Sequence, residues 1–454
     1  MEFGFIIGSV LKIAALIAYI YGILWVMDQP SKWVKIGGVV VAFGIIQLGM
    51  TKFGNFQVLT SFDSGLLFQA CAMTMVALGL NLIYGFNGQF SLGQWGFYGI
   101  GAYTAADITY RWVNGDARGL IVVGVGTILG AVVLAGIGQF IKKQRGIPVL
   151  SQFTLYLIGA IVAGVVAVYI GKLLFPVFQP LLGTNLEPGV LAQGIPLQIM
   201  FFFAVIFAGI FAAEVSFLFG LPVLTLVSDY FGIATLGFTI VVNVLMVNSD
   251  TILPFPEMKG GRGMIGIPKL TTWFWAFLFM ILVIVIMRNL LHSSTGRSIM
   301  SVREDETAAK AMGINVASTK LLAFVVGSMF AGMGGAIYAH FIGFLSPGSF
   351  NFLMGFNPLI IVVFGGLGSM TGTIIASFGW IFFLEGLLRV VLSQLGTEAP
   401  TWRYVLYPLT LLLLMLVRPQ GLLGTAEWGF LKAKQILRRE KPAPKPVEAP
   451  VAQG

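Results

Sequence analysis

Apolar runs long enough to cross a bilayer recur along almost the whole of this 454-residue chain, and they leave few folds open to it. A helix needs about 20 apolar residues to span the hydrocarbon core. Inside that core each backbone N–H and C=O must be satisfied within the segment, and for runs of this length that means helices. Only 10% of the residues are charged and 57% are hydrophobic; a soluble domain carries about a quarter charged residues. Mean hydropathy is +0.92. The chain reads as an all-α polytopic integral membrane protein with about 11–13 transmembrane or half-membrane helices.

Spans are expected near 3–26, 34–50, 66–84, 89–106, 120–140, 153–174, 198–219, 224–247, 271–291, 320–343, 355–367, 370–392 and 403–418. Segment 3–26 begins after Glu2 with no basic leader and no small-residue cleavage site, so it reads as a retained span. The net charge of +9 is gathered at span ends, at Lys142, Lys143 and Arg145, at Arg288, Arg297 and Arg303, and from Arg418 to Lys441. Such clusters mark cytoplasmic loops rather than a nucleic-acid surface. They put 141–152, 292–319 and the C-terminus inside, and 107–119, 175–197, 248–270, 344–354 and 393–402 outside. Lys52 and Arg111 then fall on the outer side, against the rule.

Between the spans near 271–291 and 320–343 lies a polar segment with helix signals. Ser301 and Glu304 have capping-box spacing, Asp305 and Glu306 complete an acidic first turn, Lys310 sits in the last, and Gly313 follows as a C-cap. Residues 302–312 therefore read as one short exposed helix. The next span carries Ala323, Gly327, Ala331, Gly335, Ala339 and Gly343 at every fourth position. Small side chains at this spacing let helix backbones approach closely in lipid. Ordinary helix packing accounts for this ridge equally well.

Two segments suit lipid poorly. One is Tyr84 to Gln94, holding Asn87, Gly88, Gln89, Ser91 and Gln94; the other is Phe364 to Gly372, holding Gly365, Gly366, Gly368 and Ser369. Paired glycine-interrupted segments in two halves of a transporter point to a pathway at the midplane. Tight loops at the membrane surface are the alternative reading. Neutral amides and hydroxyls suit a zwitterionic solute better than a metal ion. Single charges remain within or beside spans. Glu385 and Arg389 have ion-pair spacing, Glu214 has no local partner, Lys12 is expected to snorkel, and Asp107 and Asp116 border an outer loop. Glu214 reads either as a packing residue toward a partner or as a wetted edge.

Catalytic chemistry has no visible basis. Cys71 is the one cysteine, His292 and His340 are far apart, and no metal site is expected. No phosphate-cradling loop of the Gly-x-x-x-x-Gly-Lys-Ser/Thr type occurs. No hydrolysis of ATP and no bound cofactor are expected of this chain.

Residues 79–105, from Gly79-Leu80-Asn81 through Ser91-Leu92-Gly93-Gln94 to Ala105, closely resemble the signature of branched-chain amino-acid ABC transporter permeases of the LivM type. Asp229 to Phe238, Arg303 to Asn315, Phe364 to Ser369 and Arg418 to Leu422 match in the same order. The resemblance implies an ABC importer permease fold in a bacterial inner membrane. It further implies a second homologous permease, two cytoplasmic ATP-binding subunits carrying ATP and Mg, and a periplasmic solute-binding protein. Arg303, Glu304, Asp305, Glu306, Ala309, Lys310 and Gly313 would then form the loop that docks on an ATPase. The chain departs from the family in its length, in an expanded region near 107–205, and in Gln94, where relatives often carry His. Residues 1–60 read as extra N-terminal spans, 61–425 as the permease core and 426–454 as a basic, unstructured tail. Transport of urea, short amides or other amino acids is the alternative within the family. An ion-driven secondary transporter is the alternative outside it.

Overall fold

A computed structural model describes residues 2–29, 31–51, 59–143, 148–183, 193–224, 228–251, 258–388, 420–428 and 431, with a few isolated positions besides. The helices are α1 (Glu2–Asp28), α2 (Lys32–Met50), α3 (Ser61–Leu80), α4 (Gln94–Val113), α5 (Ala117–Lys143), α6 (Val149–Leu182), α7 (Gly194–Val223) and α8 (Ser228–Val247). They continue as α9 (Trp273–His292), α10 (Ser294–Glu304), α11 (Glu306–Ala311), α12 (Val316–Ile342), α13 (Phe356–Gly365) and α14 (Met370–Ile381). α3 runs on into a π-helix, π1 (Asn81–Phe86), and α14 into another, π2 (Phe382–Leu388). A two-residue antiparallel pair, Met264–Ile265 with Phe344–Leu345, ties two connections together.

Eight of the described helices are long and apolar enough to cross a membrane, and Ala14–Asp28, Phe352–Gly365 and Met370–Gly386 are shorter apolar stretches. Burial separates the centre from the rim. The α3–π1 span is 89% buried, whereas α5 and α6 are 22% and 17% buried, the pattern of a peripheral hairpin against lipid. α12 packs on α3, α4 and α7 together.

Glycine sets how closely those helices meet. A Cβ on Gly327 would lie 2.5 Å from the Gly79 carbonyl oxygen of α3, and one on Gly335 would lie 2.0 Å from the Tyr98 carbonyl oxygen of α4. Positions four apart advance about 40° around a helix of 3.6 residues per turn. The ridge therefore winds, offering Gly327 to α3 and Gly335 to α4, with Ala331 and Ala339 fully buried along it. Gly343 ends the helix as its left-handed C-cap instead of packing in the ridge.

Several local expectations need correction. Lys12 does not snorkel: its Nζ lies 2.8 Å from Asp63 Oδ2, and Asp63 closes a capping box with Thr60 at the start of α3. Asp107 and Asp116, which border an outer loop, both pair with Arg111. Arg111 Nε donates to Asp107 Oδ2 at 2.8 Å and Nη1 reaches Asp116. This pairing also explains the basic residue on the outer side. Pro176 and Pro180 lie inside α6 rather than in an outer loop. Arg389, most of the span expected near 403–418 and the chain from 432 onward lie outside the described residues.

Candidate functional site

The two glycine-interrupted segments are non-helical breaks, and they are held close to each other. After π1 the chain leaves helical geometry through Gly88 to Gly93 and re-enters it at Gln94. α13 stops at Gly365, and a turn through Gly366 and Gly368 (φ of 116° and 81°) leads to α14. Those dihedrals are open to glycine and costly for a residue with Cβ. A π-turn inside a span often marks a functional position.

Asn81 in π1 joins the two breaks. Its Nδ2 donates to the Ser369 carbonyl oxygen at 2.9 Å and to Thr373 Oγ1 at 2.8 Å, while its Oδ1 accepts from the Gly368 amide at 2.9 Å. All of its amide chemistry is spent on the turn. Gly85 fits beside it because a Cβ there would lie 2.5 Å from the Gly368 nitrogen.

The residues expected to line a path take different surroundings. Asn87, Gln89, Ser91 and Gln94 are buried, with exposures of 2%, 6%, 0% and 1%, whereas Gly88 is exposed. Asn87 Nδ2 donates to Gln89 Oε1 at 2.7 Å, and Ser91 Oγ accepts from the Gly93 amide at 3.3 Å. Thr235 and Thr239 of α8 hold the Leu92 backbone on the other side. Gln94 makes no hydrogen bond through either amide atom, and Asn87 Oδ1 makes none. Three buried amide atoms are thus without a protein hydrogen-bond partner. The contacts that join this segment's element to the Gly365–Gly372 turn run through Asn81 and Gly85, not through these four side chains. Ser369 is also engaged, its Oγ donating to the Ala426 carbonyl oxygen at 2.8 Å and accepting from the Gly372 amide.

The polar segment is two helices and not one. α10 ends at Glu304, and Asp305 caps α11 by accepting from Thr307 at 2.7 Å and Ala308 at 3.0 Å. Hydrogen bonds from the Ala308 and Thr307 amides hold the Asp305 carboxyl below the usual carboxylate range. Ser301 instead bonds back to the Ser298 carbonyl oxygen within α10. α11 closes with paired bonds from Ile314 to Ala309 and from Gly313 to Lys310, both 3.0 Å, the Schellman arrangement. Ala309 packs with Val302, Val316 and Ile314, so the short helix is anchored on one face. Glu304, Glu306, Lys310 and Met312 stand on the exposed side, and Met312 is 82% exposed. Glu306 forms an ion pair with Lys320.

Arg303, though partly exposed, reaches the end of π1. Its Nη1 donates to the Gly85 carbonyl oxygen at 2.6 Å. Cβ atoms on Gly88 and Gly368 would lie 3.3 Å and 2.8 Å from the Arg303 side chain. The exposed helix pair is thereby fastened to both breaks.

A C-terminal segment completes the site; the resemblance marked its start, Arg418 to Leu422, and no motif marked Leu423 to Trp428. Leu422 and Leu423 donate backbone bonds to Phe364 and Gly365. The Glu427 carboxylate accepts from the Met370 and Thr371 amides, capping α14. Burial pushes the Glu427 carboxyl up, and its hydrogen bonds to Thr371 and Met370 oppose that. Residues 426–428 therefore belong to the packed structure and not to a tail. Glu427 is one of three acidic residues in this basic C-terminal region, with Glu440 and Glu448, so the sequence did not single it out.

Helices broken at glycine turns and joined inside a bundle of membrane-length helices define a polytopic membrane protein as the class. The chain belongs to the family described as the permease component of the branched-chain amino acid transport system, whose family model matches residues 62–143 and 132–416. It is 32% identical over 251 residues to the high-affinity branched-chain amino acid transport system permease protein LivM of Escherichia coli, covering 48% of this chain and 56% of that protein. A probable LivM of Methanocaldococcus jannaschii is 25% identical over 238 residues, covering 48% of this chain and 67% of its own. The E. coli permease LivH is 30% identical over 156 residues, covering 34% and 47%. The match thus spans little more than half of the E. coli LivM. No solved structure matches.

Proposed function

We propose that this chain is a membrane subunit of an ATP-driven importer of branched-chain amino acids, forming part of the translocation path in a bacterial inner membrane. A second permease of the same family, two cytoplasmic ATP-binding subunits and a periplasmic solute-binding protein complete the importer. ATP and Mg are held by the ATP-binding subunits, and this chain binds no cofactor. The observation that carries the reading is α11: a charged, doubly capped helix whose buried face is anchored and whose exposed face ends in Met312, at 82% exposure. An apolar tip on a charged projection suits insertion into a groove of another protein.

Arg303 carries motion of α10 and α11 to the breaks at Gly85 and Gly368. There the free amide atoms of Asn87 and Gln94 meet the solute weakly, as rapid passage requires. The membrane-inserted complex, reconstituted with its ATPases and binding protein, is expected to accumulate labelled leucine only with ATP. Accumulation that survives ATP depletion while an ion gradient is maintained overturns the ATP-driven reading. ATP-driven uptake of other solutes with no uptake of leucine redirects the substrate class.

A further inference from the structure

The peripheral α5–α6 hairpin does not lie flush against the core. Between it and the helices α7 and α12 is a cavity of about 930 Å³. Leu134 and Ala135 of α5, Tyr156 of α6, Phe217 of α7, and Leu321 and Val325 of α12 form its walls. At the end near α10 and α11, Gln139, Asn315 and Ser318 make a neutral polar mouth. Among the described residues lining it, Glu214 is the one charged side chain. Glu214 stands nine residues before the last residue of α7, about 14 Å along the axis at 1.5 Å per residue.

That carboxylate is held in an unusual way. Its Oε2 lies beside Gly130 of α5, 2.8 Å from where a Cβ there would sit, and the carboxylate accepts a hydrogen bond from the Ala131 backbone. Its Oε1 is buried and has no hydrogen-bond partner. A desolvated carboxylate oxygen without a donor is costly, and a ligand bringing a cation removes the cost. Tyr156 and Phe217 form an edge-to-face pair at 4.9 Å on the same wall, and aromatic faces favour cations as well.

Size limits the occupant. Pockets for small molecules measure about 300–1,000 Å³, which includes this one. We propose that the cavity binds one amphiphile that carries a primary ammonium and an aliphatic chain, the ammonium on Glu214 Oε1 and the chain along the α7–α12 wall. The site is built half from the expanded region and is separate from the breaks and from α11.

Dodecylammonium is the probe, added to the full chain in nanodiscs of phosphatidylcholine and phosphatidylglycerol, which contain no primary amine. Native mass spectrometry is expected to show one saturable dodecylammonium per chain, and uncharged dodecanol to bind more weakly. Glu214→Gln keeps the shape of the side chain and is expected to weaken dodecylammonium roughly tenfold, the scale of a charged hydrogen bond, with dodecanol unchanged. Ala135→Phe narrows the cavity, keeps the carboxylate and is expected to weaken both ligands. Equal binding of dodecanol and dodecylammonium, or wild-type binding by Glu214→Gln, overturns the proposal and leaves an apolar cleft for bilayer chains. Undiminished binding by Ala135→Phe overturns it by placing the ligand elsewhere.

Discussion

Arg303 and Gly85 are 218 positions apart in the chain and share a 2.6 Å hydrogen bond from guanidinium Nη1 to carbonyl oxygen. The bond crosses from the exposed α10–α11 pair to the end of π1, where the first helical break begins. A carbonyl freed from helical bonding by that break is an available acceptor, and a guanidinium satisfies it with charge.

Arg303→Ala is expected to separate the two halves of this device. Its side chain is 35% exposed, so the stability lost is at the low end for a charged hydrogen bond, about 1 kcal/mol. The functional loss is expected to be larger. The reconstituted complex should retain assembly and thermal midpoint while substrate stimulation of ATP hydrolysis declines severalfold. A large drop in the midpoint with stimulation intact contradicts this assignment.

Asn81→Leu is expected to damage the joint between the breaks. It strands the buried Gly368 amide, at about 1–3 kcal/mol for an unsatisfied group, while the Thr373 hydroxyl keeps its bond to the Ser369 carbonyl oxygen. Transport rate is expected to drop with the solute affinity of the binding protein unchanged. Uptake kinetics and binding isotherms, measured separately, check both halves.

Periodicity and turn chemistry made much of this legible beforehand. The ridge on α12 could be read because small residues, Ala alternating with Gly, recur at every fourth position. The breaks could be read because glycine and neutral amides interrupt apolar runs. What sequence obscured was competition between equally good local signals. Ser301-x-x-Glu304 and Asp305-x-x-Ala308 both offer an N-cap, and the second prevails, splitting one expected helix into α10 and α11. Long-range partners left no local trace: Lys12 with Asp63, Glu427 with the start of α14, and Arg303 with Gly85. Pro176 and Pro180 signalled a loop by their ordinary soluble behaviour, whereas α6 runs through them.

Gly335→Leu is expected to prevent stable assembly, because its Cβ would meet the Tyr98 carbonyl oxygen at 2.0 Å. Overpacking against backbone costs about 3 kcal/mol or more. Gly164→Leu in α6 is the control, with nothing within 4 Å of the added Cβ. The thermal midpoint of the purified complex is expected to collapse for the first and hold for the second. Equal midpoints would place the ridge against lipid.

Acid is expected to fray α11. Asp305 has a folded pKa held down by its bonds to Ala308 and Thr307. Its capping contribution is present above the unfolded pKa and is lost as pH falls through the folded one. Amide exchange at Thr307 and Ala308, corrected for intrinsic rates, is expected to accelerate below the ordinary aspartate range. Asp305→Asn, which still accepts through its side-chain oxygen, is expected to remove that dependence. Acid-induced exchange that persists in the variant has another source.

The central claim is that the exposed face of α11 docks on an ATPase subunit. Glu306→Arg alone tests it poorly, because Glu306 also pairs with Lys320. Met312→Asp is cleaner, since an 82% exposed side chain has little to hold within its own chain. The decisive measurement is substrate-stimulated ATP hydrolysis by the reconstituted complex carrying Met312→Asp, beside Glu306→Arg combined with Lys320→Glu. Both are expected to lose stimulation by roughly tenfold or more, the scale of an interface hot spot, with the permease folded and inserted. Stimulation and uptake at wild-type levels in both variants would contradict the docking of α11 and the account built on it.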